Sequence, residues 1–480
     1  MSRVVVIGGG IAGLATCYHI LQEAGAAGRK IDITLIDKGE RPGGNIRTER
    51  AWGFLVEGGP DCFLSEKPWA LQLCRRLGLD SSILPTSRPR GKTYVFSRGK
   101  LHLLPEGVIL MVPTKMIPLL TSSLLTVRGK LRMAVEPFIP KRKEKGDESL
   151  GDFVTRRLGR EALDKIAEPL VAGVHAGDPD TMSIRSSFPK FVELEEQYGS
   201  LVRGMVARMA TIKKKSARGA TGDATGSPSS KPAMTMFVTL KNGLGELVDK
   251  ILGEIKPVEI LSKTSVSDMV ETNGGYRVTT DTGRVIDAAA VVVATPAYIS
   301  AQLVRKIDKE LSAKLLTIPY ASTATISIGY NKKDIKHPMD GFGFVVPGSE
   351  DRGIMAASWS SVKWAGRAPD DKVLIRCFVG GARRGHLVEL DDKEMTHMVR
   401  AELKAIMGID AKPVIVKIFR WRKAMPQYTI GHTGRVAEIK ALTEKHPGLY
   451  LTGSAYHGIG ISDTTREAEA TAKKVVGALR

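Results

Sequence analysis

The sequence has little cysteine, and what there is forms no recognisable pair. Its 480 residues include only Cys17, Cys62, Cys74 and Cys377, with no CxxC spacing and no metal-ligand spacing to the nine histidines. These absences argue against a disulfide framework and a structural zinc site, and we expect no bound metal. They predict a reducing, cytoplasmic compartment.

Long apolar runs are also lacking. No uninterrupted apolar run reaches the ~18 residues of a spanning helix, and three glycines break the first apolar stretch, so no secretory segment is predicted. Segment 108–127 is apolar but carries Pro113, Lys115 and Pro118, and basic residues follow it. Two interpretations stay open: an interfacial segment against anionic headgroups, which would make the protein peripheral at the cytoplasmic membrane, or a buried helical hairpin.

The sequence has fewer acidic than basic residues, 51 against 71, which gives a formal net charge of +20. Such an excess favours an acidic partner, either anionic lipid or a polycarboxylate, although a generally basic proteome would give the same balance. No zinc-finger spacing, RNP-like aromatic motif or basic recognition helix is present, so no nucleic-acid partner is predicted. A homodimer stays open.

The first sixty residues carry the most informative motif. An apolar run leads into a GxGxxG pattern and a helix-like stretch, and a second apolar run, 31–36, ends on Asp37. The glycines permit a tight turn, close approach of the backbone to a pyrophosphate and helix packing, while the helix N-terminus offers unpaired N–H groups. A carboxylate at Asp37 can accept both ribose hydroxyls. The motif therefore predicts a dinucleotide cradle, for NAD or FAD, at Gly8, Gly9, Gly10, Ile11, Ala12 and Gly13.

The stretch RPGGNIRT, residues 41–48, favours FAD over NAD. The paired Gly43 and Gly44 let the backbone pass close to the pyrophosphate, and Arg41 can add charge. The run resembles the extension found in the monoamine-oxidase-like superfamily of FAD proteins.

The cofactor domain is predicted to resume later in the chain. A strand, turn and helix pattern follows residue 236. The stretch 291–296 resembles the buried strand that re-enters the nucleotide-binding sheet in FAD-dependent oxidases, and a strand at 448–453 leads into a glycine-rich turn and a last helix. The N-terminus of that helix can stabilise negative charge on a reduced flavin.

We therefore predict an α/β fold with a discontinuous, Rossmann-like FAD-binding domain and two further domains. The predicted boundaries are 1–90, 236–300 and 421–480 for the FAD-binding domain, 91–215 for a helical domain with a potential membrane contact, 216–235 for a flexible loop and 301–420 for a mixed-sheet substrate domain.

Eight stretches carry a more specific resemblance: VVVIGGGIAGL, IDKGERPGGNIRT, LVEGGPDCFL, VAGVHAGDP, DGFGFVVP, FVGGAR, RWRKAMPQY and LYLTGSAYHGIGISD. Across nearly the whole chain the sequence resembles the protoporphyrinogen/coproporphyrinogen oxidase family, FAD enzymes of haem synthesis. The resemblance implies a six-electron oxidation of a porphyrinogen to a porphyrin, with O2 as acceptor and flavin-driven hydride transfer that needs no catalytic side chain. Because no cysteine lies near Tyr456 and His457, the FAD is expected to be non-covalent.

The resemblance also implies individual contacts. FAD contacts are expected at the glycine motif above and at Asp37, Lys38, Arg41, Gly43, Gly44, Asn45, Gly59, Pro60, Asp61, Cys62, Val266, Trp421, Ile459, Gly460 and Ile461. Substrate contacts are expected at Leu170, Gly173, Phe342, Phe344 and Phe378. Trp421 is open to a core role, and Phe342 and Phe344 alternate on a strand that can either line a flat ligand or pack on the core.

One departure concerns the substrate propionates. Some members of the family carry an arginine before the tyrosine where this chain has Thr93, so Lys92, Arg90 or Arg88 are the alternative anchors. His175 and His457 are expected to be structural. Other readings stay open: a flavin amine oxidase or desaturase, or a non-enzymatic relative like the GDP-dissociation inhibitors. An NAD dehydrogenase is disfavoured by the 41–48 extension.

Overall fold

The structure is a computed structural model, which describes residues 2–88, 91–109, 112–113, 116–144, 146–219 and 234–479. Its strands, in chain order, are β1 (Ser2–Ile7), β2 (Ile31–Ile36), β3 (Thr48–Ala51), β4 (Phe54–Glu57), β5 (Phe63–Leu64), β6 (Ile83–Pro85), β7 (Thr93–Ser97), β8 (Lys100–Leu103), β9 (Val108–Ile109), β10 (Val112–Pro113), β11 (Phe237–Leu240), β12 (Glu259–Leu261), β13 (Val266–Thr272), β14 (Gly275–Thr280), β15 (Val285–Ala288), β16 (Ala290–Val293), β17 (Tyr320–Asn331), β18 (Gly343–Val345), β19 (Ala356–Trp359), β20 (Lys372–Gly380), β21 (Ile415–Pro426) and β22 (Leu449–Leu451).

The α-helices are α1 (Ile11–Ala26), α2 (Pro68–Arg76), α3 (Met116–Thr121), α4 (Val127–Ala134), α5 (Leu150–Leu158), α6 (Arg160–Ala162), α7 (Glu168–His175), α8 (Ile184–Ser187), α9 (Pro189–Tyr198), α10 (Leu201–Gly219), α11 (Gly245–Glu254), α12 (Ala297–Val304), α13 (Lys309–Leu316), α14 (Ser360–Lys363), α15 (Asp392–Met407), α16 (His432–Thr443) and α17 (Ile461–Ala478). A π-helical segment, Leu163–Ala167, joins α6 to α7.

A parallel sheet of five strands, in the order β12-β2-β1-β16-β22, organises the first domain. Val4, Val5 and Val6 of β1 are fully buried, as expected of a strand covered on both faces. One face packs against α1, α11 and α17, and the other against α12, α13 and α16. The sheet takes strands from both ends and the middle of the chain, which confirms the predicted parallel, Rossmann-like sheet.

A mixed sheet of seven strands, in the order β21-β17-β20-β19-β18-β7-β8, organises the second domain. Its pairs are antiparallel except for the parallel pair of β18 with β7. Alternate residues separate its faces: Cys377 packs on the α15 side, while Phe378 packs toward the helical layer that contains α5 to α9.

Three element bounds differ from the boundaries drawn from sequence. Strands β7 and β8 fall in the predicted helical range 91–215 but join the substrate sheet, and β21 extends past residue 420 to Pro426. Helix α10 continues to Gly219 in the predicted loop 216–235, of which residues 220–233 lie outside the described ones. Strand β7 pairs with β18, which lies more than two hundred residues later in the chain. Such a pairing leaves no local pattern in the sequence, which explains why the boundaries drawn from sequence place β7 and β8 in the helical domain.

The apolar segment 108–127 includes the β9–β10 hairpin and α3, although residues 110, 111, 114 and 115 lie outside the described ones. Leu119, Leu124 and Leu125 are buried, whereas Ile117 and Leu120 are exposed. In the described part of the chain, no helix is both long and apolar enough to cross a membrane.

Candidate functional site

In the glycine turn between β1 and α1, Gly8 and Gly13 lie against other backbone atoms, whereas Gly10 borders open space. Gly8 has φ +106°, and a Cβ there would lie 2.8 Å from the carbonyl oxygen of Ala294, while a Cβ on Gly13 would collide with the carbonyl of Gly8. A Cβ on Gly10 would meet nothing within 4 Å. Gly10 caps α1 in an extended conformation and gives no side-chain hydrogen bond to the orphan N–H groups of the first turn. These groups are available to an anion beside Gly10.

Asp37 directly follows β2 and lies next to this turn. Its carboxylate accepts hydrogen bonds from the backbone N–H of Gly9 at 2.6 Å and of Gly39 at 2.8 Å. The predicted extension lies beside it, since the N–H of Gly43 donates to the carbonyl of Gly9 at 2.7 Å. Gly43 and Gly44 have φ +139° and +57°, conformations that favour glycine. The extension and the first turn are therefore parts of one cradle.

A second helix begins at the same cavity. Gly460 caps α17 with no side-chain hydrogen bond, and both Gly460 and Ile461 line the cavity. In the first turn of α17, Asp463 is 5% exposed and pairs with Lys67. Two helix N-termini, from opposite ends of the sequence, thus face one cavity.

The GGPD turn after β4 is held by side chains from the substrate sheet. The carbonyl of Gly58 accepts hydrogen bonds from Trp421 Nε1 at 2.8 Å and from Thr325 Oγ1 at 2.7 Å. The guanidinium of Arg376, which is 3% exposed, donates to the carbonyl of Gly59. A Cβ on Gly59 would collide with the carbonyl of Asn45. The turn is therefore fixed against both the cradle and the substrate sheet.

A half-buried cluster of charged residues follows this turn. The carboxylate of Asp61 accepts from Lys363 Nζ at 3.2 Å and from Trp364 Nε1 at 3.1 Å. Burial raises the pKa of Asp61, but Lys363 and Arg376 outweigh it and hold that pKa far below its usual range. Burial and the nearby Asp61 raise the pKa of Cys62 to about 12, so its thiol stays protonated. The wall beside the GGPD turn therefore carries fixed charges and no thiolate.

A single cavity of about 2930 Å³ joins the cradle to the gap between the substrate sheet and the helical layer. Its volume is roughly three times that of a large ligand pocket, so it has room for a second ligand beside a dinucleotide. Every predicted contact residue lines it except Gly9 and Gly13.

On the substrate side, Leu170 and Gly173 of α7 face the sheet. A Cβ on Gly173 would lie 3.7 Å from Val345 Cγ1. Phe378 packs toward the same helical layer. Phe344 borders the cavity, but its ring is 1% exposed and packs in the α15-side core, so the face of β18 turned toward α7 carries Val345 instead. The i, i+2 alternation of aromatics could not by itself tell these two faces apart.

Sequence reasoning missed Lys363, Arg376 and Thr325. They lie between 267 and 318 residues from the turn in the sequence, and no motif marks them. His175 lines the cavity, and burial lowers its pKa to about 4, so its imidazole is neutral near pH 7. The described residues contain no group of His, Cys, Asp or Glu side chains that could hold a metal ion.

Of the alternative propionate anchors, Lys92 and Arg88 are engaged with Asp340, by an ion pair to its carboxylate and a hydrogen bond to its carbonyl. Neither lines the cavity, whereas Thr93 does. Arg90 lies outside the described residues.

The parallel sheet, its two uncapped helix N-termini and the adjoining sheet-lined compartment define an α/β protein of the dinucleotide-binding type. Comparison with known proteins specifies the family. The model of the flavin-containing amine oxidoreductases matches residues 11–476, and the chain belongs to that family.

Its relatives include the coproporphyrinogen III oxidase of Bacillus subtilis (strain 168), which is 33% identical over 98% of this chain and 96% of its own. Protoporphyrinogen oxidase 2 of Arabidopsis thaliana is 26% identical over 96% of this chain and 91% of its own. A crystal structure from Exiguobacterium sp. 255-15, provisionally assigned as a protoporphyrinogen oxidase, superposes with a TM-score of 0.85 at 29% identity, over 99% of this chain and 98% of that one.

Proposed function

We propose that this protein is an FAD-dependent oxidase that converts a porphyrinogen to a porphyrin in haem biosynthesis. The observation that carries the proposal is the second compartment of the cavity, between α7 and the substrate sheet, because a dinucleotide leaves it unfilled. Its walls include Leu170, Val345 and Phe378, which suit a broad apolar macrocycle. The names of the relatives point to the same substrate class.

FAD fits the cradle on the protein's own geometry. Gly10 leaves open space where a pyrophosphate would approach, and the uncapped first turns of α1 and α17 offer N–H donors to anionic groups. We infer that Asp37 holds the ribose and Val266 the adenine side, and that the cofactor is non-covalent. Held by these residues, FAD would supply a hydride acceptor that O2 can reoxidise, with hydrogen peroxide as the product.

The protein's own residues position the wall beside the cofactor. Arg376, Trp421 and Thr325 fix the GGPD turn, and through it the wall on which an isoalloxazine ring would rest. His175 is neutral and therefore cannot donate a proton readily near pH 7. No side chain is assigned as a catalytic acid or base.

The direct test is an aerobic assay of the FAD-loaded protein with coproporphyrinogen III, protoporphyrinogen IX and, as a control substrate, putrescine. We expect porphyrin fluorescence to appear with a porphyrinogen, together with three molecules of hydrogen peroxide per porphyrin, the stoichiometry of a six-electron oxidation by O2. Oxidation of putrescine in preference to both porphyrinogens would instead make the protein an amine oxidase.

We also propose that an anionic membrane surface is a partner. Six apolar side chains on and around α3 and α4 are exposed: Ile117, Leu120, Val127, Leu131, Val135 and Phe138. Arg128, Lys141 and Lys143 are exposed beside them, and basic residues beside an apolar face favour anionic headgroups. Sedimentation with phosphatidylglycerol vesicles should be weakened by Phe138→Ser combined with Leu131→Ser. Equal sedimentation of this variant, or equal binding to phosphatidylcholine vesicles, contradicts the proposal.

A further inference from the structure

The charges on the cavity wall are divided between its two compartments. Every acidic residue on that wall lies within residues 37–66 or 246–249 or is Asp463, all on the cradle side. The charged residues that line the other compartment from the elements around it are all basic: Arg185, Lys190, Arg376, Arg420, Arg422, Lys423 and Lys440. The charged side chains on the wall of that compartment are therefore all positive, as a site for carboxylates requires.

Most of these cations already have a partner. Arg185 pairs with Glu196 at 3.2 Å, Arg422 with Glu389 at 2.9 Å, and Lys440 lies 3.8 Å from Glu444. Arg420 pairs with Asp392 at 2.6 Å. Lys190 and Lys423 form no ion pair with any residue that the structure describes. Arg376 has no ion pair either, but its guanidinium donates to the carbonyl of Gly59. Among the described residues of this compartment, Lys190 and Lys423 are therefore the two cations left for a ligand.

The backbone holds Lys423 in an unusual position. Strand β21 loses register against β17 between Ala321 and Thr323, and Lys423 lies in this bulge with φ +45°. Its N–H donates to Ser322 Oγ at 3.0 Å, which fixes the bulge. A positive φ is uncommon outside glycine, and bulges beside active sites redirect side chains. The bulge therefore places a lysine without an ion pair among the described residues at the edge of the cavity.

Lys190 lies on the helical side, at the second residue of α9. The neighbouring Phe188 ring contacts the ring of His175 on α7, with centroids 5.3 Å apart. Helix α7 also carries Leu170 and Gly173, so Lys190 is placed beside the wall assigned to the macrocycle. One cation thus comes from the sheet and one from the helical layer.

We propose that Lys423 and Lys190 bind peripheral carboxylates of a tetracarboxylic porphyrinogen, so that coproporphyrinogen III is preferred over protoporphyrinogen IX. The inference rests on the proposed function. Coproporphyrinogen III has two propionates where protoporphyrinogen IX has vinyl groups, and only the former gives these two ammonium groups additional partners. Binding through two lysines explains how the compartment can hold the substrate without an arginine at Thr93.

The test measures binding of the two product porphyrins to FAD-loaded protein, by porphyrin fluorescence, for the unmodified protein and for K423M, K190M, K423R and K393M. Lys393 is exposed on α15 and does not line the cavity, so K393M is the matched control. We expect K423M and K190M each to raise the Kd for coproporphyrin III about tenfold and that for protoporphyrin IX less than about threefold. K423R should restore most of the affinity, and K393M should change neither Kd.

Equal loss of affinity for both porphyrins, or none for either, overturns the assignment of the two lysines. If the unmodified protein still oxidises a porphyrinogen in that case, the proposed function stands and only this inference fails. If the unmodified protein binds neither porphyrin and oxidises neither porphyrinogen, both fail.

Discussion

Replacing Gly10 by alanine should weaken FAD binding without destabilising the fold. Its φ of −69° is an ordinary one for alanine, and the added Cβ would meet no protein atom within 4 Å. Alanine is a poorer N-cap than glycine, by roughly half a kcal/mol. Alanine also lowers the conformational entropy of the unfolded chain, which stabilises the folded protein by a similar amount. The apoprotein should therefore keep its free energy of unfolding within about 1 kcal/mol.

The affinity for FAD, in contrast, should fall in Gly10→Ala. The methyl group would occupy the space through which a pyrophosphate reaches the first turn of α1. Loss of one charge-assisted hydrogen bond there is worth about 1.5–3 kcal/mol, which raises the Kd for FAD about 10- to 150-fold. Flavin fluorescence quenching on titration into apoprotein measures the Kd, and urea denaturation of the same apoprotein measures stability.

Two further glycines make this experiment specific. Gly25 lies in the same helix and its Cβ would also meet nothing within 4 Å, so Gly25→Ala should leave FAD binding unchanged. Gly13→Ala should instead destabilise the apoprotein by about 1–3 kcal/mol, because its Cβ collides with the carbonyl of Gly8. Unchanged FAD affinity in Gly10→Ala would refute the placement of the pyrophosphate.

Three other substitutions test parts of the fold around the site. Arg157→Leu should lower the free energy of unfolding by about 3–5 kcal/mol, because it leaves the buried Glu136 carboxylate without its ion pair; urea denaturation measures this, and a loss under 1 kcal/mol would contradict it. Trp421→Phe removes the hydrogen bond to the Gly58 carbonyl and should cost about 1 kcal/mol in the same assay, whereas an unchanged midpoint would show that the bond contributes nothing. Burial lowers the pKa of His19 to about 4, so its stabilising neutral form is fully present above the unfolded value of about 6.5 and stability is lost as the pH falls from there toward 4. His19→Leu should therefore flatten the dependence of stability on pH between these values by about one proton, and an unaltered slope would mean that His19 protonates equally in both states.

The nucleotide cradle was accessible from sequence because its parts are local. The glycines at 8–13, the acid at 37 and the extension at 41–48 each carry their own physical signature over a few residues. Similarly, the last strand and helix can be recognised from the glycine turn that joins them. The structure confirms the parallel sheet that these patterns predict.

The features of the fold and the site that could not be predicted from the sequence depend on contacts between distant segments. The pairing of β7 with β18 places residues from the predicted helical domain in the substrate sheet, and only the three-dimensional register reveals it. The bonds of Arg376 to the GGPD turn and of Lys363 to Asp61 likewise join segments about three hundred residues apart. The side of β18 that faces the cavity depends on the packing of α15, which the alternation of Phe342 and Phe344 does not encode.

The central claim is that one cavity brings a flavin and a porphyrinogen together for direct electron transfer. It is tested most directly by mixing oxidised, FAD-loaded protein with coproporphyrinogen III in the absence of oxygen and recording the visible flavin absorbance. We expect the flavin bands to bleach as the substrate is oxidised and to return when air is admitted. Flavin bands that persist after excess coproporphyrinogen III and excess protoporphyrinogen IX would contradict it.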